Sequence, residues 1–382
     1  MLIRTHLAPS GAAMSHLISN WVSRVQEYYG AHERALGLTF FLAGIVWDAL
    51  TLRTIDNPVD NLILIGYLTG LTLVLVLDIR AHTDGLGWKR IEDPQAWLRA
   101  AMQFLLGALL SAFVIFYSRS ITWSAHLAFW LILVVGAVMN EFLTRKLSSF
   151  PAQLAFLAFC SATMLAWLLP VVTGEMSLRM FRLALLSSLV LTAAIFAYGR
   201  RKGRVRPTKF GPLEAWIVPL LLVYLDVGYR ANWIPPVPLS VQQGGVYNKV
   251  ERTQGRFTLE WKTRERGFLS PEYSRTVYWE PGERVYGFTA VFAPTRLENV
   301  VVHEWQRWDT GLESWMVTDR IDYRMSGGRE DGYRGTTFKQ NMSPGQWRIV
   351  VKTAEGKVLT RIPFEVVPGP PEGVFWTRTL ER

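Results

Sequence analysis

A series of apolar runs, each long enough to cross a bilayer, fills the first part of this 382-residue chain and limits what it can fold into. The runs extend from Leu36 to Leu52, Asn61 to Asp78, Leu98 to Tyr117, Ile121 to Asn140, Pro151 to Val172, Leu178 to Tyr198 and Leu213 to Tyr229. A span needs about 20 apolar residues, because the hydrocarbon core is about 30 Å thick and a helix rises about 1.5 Å per residue. No water is available there to satisfy backbone N–H and C=O groups, so such runs must be helical. The pattern predicts about seven membrane helices over residues 36–230.

Cations between the runs alternate in density. Arg80, Lys89 and Arg90, then Arg145 and Lys146, then the run of Arg200, Arg201, Lys202, Arg204, Arg206 and Lys209 fall on the same side as Arg4, Arg24 and Arg34. The other side holds only Arg53, Arg119 and Arg179. The positive-inside rule then places the N-terminus in the cytoplasm and, after an odd number of crossings, everything beyond Ala231 outside. The C-terminal domain is therefore expected on the far side of the membrane from the cytoplasm. Residues 1–35 are expected to form an N-terminal cytoplasmic amphipathic segment, of which Met1 to Gly30 lacks the short apolar core and cleavage site of a signal peptide. Within them, Leu17, Trp21, Val25 and Tyr28 recur at helical spacing, as in a helix lying on the cytoplasmic surface.

Composition narrows the chemistry. The net charge of +10 divides as +7 before Pro236 and +3 after it, so the excess belongs to membrane orientation rather than to a nucleic-acid surface. The one cysteine, Cys160, lies in an apolar run, and the six histidines are dispersed without metal-binding spacing. Neither a metal nor a cofactor is expected. Gly66 with Gly70, and Gly107 with Ser111, stand four apart and suit close helix packing.

From Gln242 the long apolar runs give way to short alternating ones. Arg256–Trp261, Thr276–Trp279, Val285–Phe292, Val300–Trp308, Trp315–Met325, Gly332–Lys339, Trp347–Lys352 and Val358–Val367 read as strands. Pro281-Gly282, Gly327-Gly328, Pro344-Gly345 and Glu355-Gly356 punctuate them. Eight strands at this spacing predict an immunoglobulin-like β-sandwich over 242–368, preceded by a linker at 231–241 and followed by a tail at 369–382. The sandwich is expected to fold on its own as a disulfide-free unit.

The segment from Val300 to Val367 resembles the bacterial family called domain of unknown function 2914. His303-Glu304-Trp305, Ser326-Gly327-Gly328-Arg329, Tyr333-Arg334 and the hairpin from Pro344-Gly345-Gln346-Trp347-Arg348 through Gly356 to Phe364 carry the resemblance. Trp47-Asp48-Ala49-Leu50-Thr51 and Asp56-Asn57-Pro58-Val59-Asp60-Asn61 look like the multi-spanning region attached to this domain in some bacterial proteins. The resemblance implies an architecture and a location, a bacterial inner membrane with the C-terminal domain in the periplasm, and no activity.

Two groups of residues are candidates for a site. The first is intramembrane: Asp48 and Asp226 lie at matching depth in the outer half of the bundle, with Arg53, Asp56, Asn57, Asp60, Asn61 and Arg230 at the same rim, and His126 and Glu175 nearby. Uncompensated carboxylates are costly there, so both are expected to face the interior. They form either an ion-paired lock between the first and last helices or an outward-facing polar pocket. The second group is in the β region. His303, Trp305, Trp308 and Tyr323 would stack on a ligand if they share an exposed face, and Arg329 and Arg334 flank a glycine-rich stretch that reads either as an anion loop or as a tight strand connection. There is no nucleophile elbow and no glycine-rich cofactor fingerprint.

The leading functional expectation is a non-catalytic envelope protein whose external β domain binds a protein or glycan partner. A transporter using the polar outer half, and a membrane enzyme acting on lipid-linked glycans, are the alternatives.

Overall fold

The computed structural model describes residues 46, 48, 50–52, 55–83, 94–120, 123–142, 149–204, 213–263, 273–329, 331–369 and 374–380. The expected surface helix near the N-terminus, most of the run from Leu36 to Leu52, and Arg53 lie outside them. Six long helices follow one another: α1 Pro58–Thr83, α2 Pro94–Ser118, α3 Trp123–Phe142, α4 Phe150–Thr173, α5 Leu178–Arg201 and α6 Leu213–Arg230.

Local sequence fixes their ends. Asn57 Oδ1 accepts from the N–H groups of Val59 at 2.9 Å and Asp60 at 3.2 Å, beside a proline at the first helical position. Ser177 Oγ accepts from Met180 N–H at the start of α5, and α4 stops at Gly174 with φ 74°. That glycine also meets the next part of the chain, since a Cβ on it would lie 2.6 Å from the Arg296 carbonyl oxygen.

Among the described residues four helices are long and apolar enough to cross a membrane: Pro58–Thr83, Trp97–Ser118, Phe150–Thr173 and Leu178–Arg201. This corrects the expected seven spans. The sixth helix carries Glu214, Asp226 and Arg230 within 18 residues, and the apolar stretch of the third is confined to His126–Met139. The helix interior is filled. Trp167, Phe113, Leu109, Leu157 and Cys160 are fully buried, with Phe113 and Phe116 edge-on to Trp167 at 5.2 and 5.6 Å. Ser161 and Ser188 hydroxyls meet at 2.7 Å between α4 and α5. Outward, Leu62, Leu73, Leu186, Val190, Leu220 and Val223 are exposed, an inversion of the aqueous pattern that suits surrounding lipid. Gly70 packs against Leu105, whereas Gly66 opens onto space.

Beyond α6 the chain is β-rich. The eight expected strands are present as β3 Arg256–Thr263, β4 Thr276–Trp279, β5 Val285–Phe292, β6 Glu298–Asp309, β7 Ser314–Ser326, β8 Tyr333–Lys339, β9 Gly345–Thr353 and β10 Val358–Pro368. Three more join them: β1 Ser240–Tyr247, β2 Lys249–Thr253 and β11 Val374–Leu380. The last pairs with β3 antiparallel, so residues 374–380 of the expected tail belong to a sheet.

The strands form three sheets, in the orders β1-β5-β8, β4-β10-β9-β6-β7 and β11-β3-β2. The first is the middle layer. On β5, Val285 and Val291 enter the core shared with Trp305, Ile349 and Val351, while Phe288 and Ala290 on the other face enter a second core with Phe257, Leu259 and Trp261. A strand covered on both faces has no polar side, which is why β5 reads as a nearly continuous apolar run. This third layer, together with the parallel pairing of β10 with β4, separates the arrangement from the two-sheet antiparallel sandwich expected from strand spacing.

Candidate functional site

The ends of α2, α4 and α6, and the starts of α1, α3 and α5, lie on one side of the bundle, and the β region docks there. Its grip is the turn between β9 and β10. Glu355 Oε2 accepts from the Leu178 N–H at the start of α5 at 3.2 Å. Lys357 is buried, donates from Nζ to the Tyr229 carbonyl in the last turn of α6, and lies 4.1 Å above the Tyr229 ring. Each charge meets the helix terminus of opposite partial charge, so an anion caps a helix start and a cation caps a helix end two residues apart in sequence. Burial lowers the Lys357 pKa from its ordinary value, with Glu355 and then Asp226 acting against that shift.

The grip is reinforced by apolar exchange. Met176, in the α4–α5 connection, packs against the β core, and Ile234, Val237 and Phe292 join the helical core. The segment expected as a linker at 231–241 is thus largely buried.

The intramembrane candidates have separate partners. Asp226 sits between Arg182 of α5 at 3.0 Å and Arg230 one turn later at 3.1 Å. Asp48 Oδ2 accepts from Ser111 of α2 at 2.7 Å. Among the described residues the carboxylates therefore tie α6 to α5 and the segment before α1 to α2, two separate ties in place of the expected lock between the first and last helices. Arg182 was outside the expected set. Asp56 and Asp60 are half-buried at the same rim, Asp60 close enough to Arg119 to interact with it, and Asn61 bridges the Ile55 carbonyl and Trp167 Nε1. His126 is fully buried in α3. Glu175 is exposed and bonds Ser177.

In the β region, the structure divides the residues expected to share one exposed face. His303 and Trp305 are fully buried and point into the core. His303 Nε2 lies 2.8 Å from Thr289 Oγ1 and Nδ1 2.9 Å from Thr337 Oγ1, while Trp305 Nε1 donates to Thr337 at 3.3 Å and the Tyr323 hydroxyl meets Thr289 at 2.7 Å. Burial depresses the His303 pKa to about 3, so the ring is neutral.

The glycine-rich stretch is a strand connection. The N–H groups of Gly327 and Gly328 donate to the Leu297 and Ala293 carbonyls, which leaves neither to cradle an anion. Arg329 lies over the Tyr333 ring at 5.4 Å, and Arg334 reaches Asp331 at 3.9 Å and the Leu380 carbonyl at 3.4 Å.

On the opposite face of β6, Glu304 is buried under three donors: Lys352 at 2.7 Å, Arg320 at 2.9 Å and Gln306 at 2.5 Å. Burial pushes its pKa up, but the three hydrogen bonds outweigh it and hold the carboxyl below the ordinary range. Gln306 Oε1 in turn accepts from Arg348, whose guanidinium covers the Trp315 ring at 4.1 Å. Trp315 packs edge-on against Trp308 at 5.4 Å.

These tryptophans flank the tip of the β6–β7 hairpin. There Asp309 Oδ1 accepts from the N–H groups of Gly311 and Leu312, and Leu312, Met316 and Val317 are exposed. Strand β6 has twelve residues and so spans roughly 40 Å. It starts beside the Arg296 contact with Gly174, which leaves its tip at the end remote from the helices. Sequence reasoning missed this tip because Leu312, Met316 and Val317 carry no motif.

The architecture defines the class: an apolar helical bundle with a β-rich domain seated on one end. Residues 298–366, which comprise β6 through most of β10, match the family described as "Protein of unknown function (DUF2914)". No curated protein matches the chain. Among solved structures, a β-glucosidase from Listeria innocua in complex with gluconolactone is 11% identical with a TM-score of 0.18, over 28% of this chain and 16% of that one. The alkylpurine DNA glycosylase AlkC of Pseudomonas fluorescens is 12% identical with a TM-score of 0.21, over 82% of this chain and 98% of that one. Neither likeness is close enough to transfer a fold or an activity.

Proposed function

We propose that this is an integral inner-membrane protein that holds a β domain in the periplasm and presents the β6–β7 tip to a protein partner. The observation that carries the reading is the exposed Leu312, Met316 and Val317 beside the half-buried Trp308–Trp315 pair, at the end of the domain remote from the helices. Aromatic and aliphatic side chains on a short rigid turn suit an apolar groove on another protein. The orientation proposed rests on charge: Arg80, Arg200, Arg201, Lys202 and Arg204 gather at the end of the bundle opposite the β domain, as a cytoplasmic face requires, and it takes α6, whose Glu214, Asp226 and Arg230 lie toward its two ends, to cross together with the four long apolar helices. The packed aromatic interior favours an anchor over a conduit.

Two measurements test this. Reporters active only outside the cytoplasm should give signal when fused after Gln242 and silence after Lys202, and the reverse would overturn the orientation. A photo-crosslinking side chain at Leu312 in intact cells should yield one discrete protein adduct that disappears with Trp315→Ala and is absent when the probe is at Arg324. Adducts of equal yield from both positions, or a glycan adduct, would reject a protein-binding tip.

A further inference from the structure

A second feature lies on the helical side of the joint, between the start of α5 and the end of α6. Arg182 and Arg230 grip the two oxygens of one carboxylate: Arg182 Nε meets Asp226 Oδ1 at 3.0 Å and Arg230 Nε meets Asp226 Oδ2 at 3.1 Å. The carboxylate is 20% exposed, whereas the two arginine side chains are 54% and 52% exposed. We infer that this pair binds the phosphate group of an anionic lipid, held between the guanidinium groups of Arg182 and Arg230.

The donors are of the required kind and are held side by side. Each arginine meets Asp226 through Nε, and among the described residues no other hydrogen bond or ion pair engages either guanidinium. A guanidinium carries five N–H donors in a fork that matches phosphate oxygens, so the Nη groups remain for a second anion. One carboxylate also leaves two cations under-neutralised. The turn above adds Lys357, which interacts with Asp226 and Arg230, and Glu355, which accepts from Leu178 N–H. Arg179, exposed one turn before Arg182, is matched by the exposed Glu175, which bonds Ser177. The cluster thus keeps one positive charge in excess.

Depth and surroundings fit a lipid. Residues 183–199 of α5 carry no charge, and from Arg182 to Arg200 the helix rises about 27 Å at about 1.5 Å per residue, close to a hydrocarbon core of about 30 Å. Arg182 therefore stands at headgroup level. Trp233, 48% exposed, lies against Gly228 in the last turn of α6, as tryptophans do at a membrane–water interface. Leu186, one turn beyond Arg182, and Val227 and Val223, one and two turns before Arg230, are exposed on the same faces and offer acyl chains an apolar surface. A free phosphate presents the same charged group without chains for that surface, so the experiment separates the two sources.

The probes are dioleoyl phosphatidylglycerol and, separately, inorganic phosphate, titrated against the full chain in mild detergent and read by native mass spectrometry. One lipid molecule is expected to bind, with affinity reduced about tenfold or more in Arg230→Gln and likewise in Arg182→Gln. Arg307→Gln, at an exposed position toward the remote end of β6, should bind as the unaltered chain does. Each single variant keeps one arginine on Asp226, so loss of fold in either leaves the other to decide. Lipid binding insensitive to both arginines, or weakened equally by Arg307→Gln, overturns the inference. Inorganic phosphate binding as tightly as the lipid overturns it too, by assigning a free anion. The inference rests on the helices lying in a bilayer and not on the hairpin tip. Reporter fusions that give the wrong sides would remove the membrane orientation, whereas lipid binding that ignores both arginines, with the reporters as expected, removes this site alone.

Discussion

His303 is a buried imidazole with a threonine hydroxyl at each ring nitrogen, and its depressed pKa of about 3 makes it a source of acid sensitivity. In the unfolded chain the ring takes up a proton near pH 6.5, whereas in the folded chain it does so only near pH 3. Between these values the unfolded state binds the extra proton, so stability is complete above pH 6.5 and is lost as pH falls below it, by up to about 1.4 kcal/mol per pH unit. Urea midpoints of the β region between pH 5 and 7 should show this slope, and His303→Gln should flatten it while lowering stability at pH 7. An unchanged slope in the variant would place the acid sensitivity elsewhere. A histidine beside a tryptophan in an aromatic strand suggests an exposed stacking face, but Thr289 and Thr337 come from strands 14 and 34 residues away. No local signal marks them as its partners.

At the scale of elements, the β9–β10 turn is the joint between the two regions. Glu355-Gly356-Lys357 reads in sequence as an ordinary charged hairpin turn, and that reading is correct for the backbone. Its placement against the start of α5 and the end of α6 gives the two charges a second role, as caps for helices more than a hundred residues away. Lys357→Met keeps the length of the stem and removes the cation, leaving the Tyr229 carbonyl without that donor. The expected cost is about 1–3 kcal/mol. Hydrogen exchange should accelerate at residues 353–358 and in the last turn of α6, with β5 and β6 unaffected. Uniform acceleration across the β region would mean that the lysine stabilises the whole domain and not the joint. A compensating Glu355→Gln exchange should act on the first turn of α5 instead.

At the scale of the molecule, the boundary between membrane and β regions is less sharp than composition suggests. A fragment of residues 242–368 omits Ser240 and Val241 of β1 and the whole of β11, exposing the edge of β3 that β11 covers. It also lacks Leu239, a buried member of the β core, and loses Met176, which reaches that core from the helices. A fragment of residues 236–380 should therefore melt several degrees above 242–368, since about 1 kcal/mol shifts the midpoint of a domain this size by 2–8 °C. Circular dichroism melts of the two fragments and the full chain decide it. Identical midpoints would show that β11 and the start of β1 contribute nothing to the fold.

The sequence by itself determined the apolar helices, the change of pattern near Pro236 and eight of the strands, because each of these depends on a periodicity within one segment. It could not separate a covered strand from a half-exposed one at β5, since a run such as Val285 to Phe292 is apolar in either case. Nor could it find β2, whose residues Lys249 to Thr253 are nearly all exposed and show little alternation in burial. Tertiary structure alone decided that a third sheet lies across the first and that Asp226 pairs with Arg182 rather than with the region of Asp48. Those outcomes depend on which distant surfaces meet. Charge and hydrophobicity read along a chain specify what a surface needs, and many partners satisfy the need until the remaining elements have been packed.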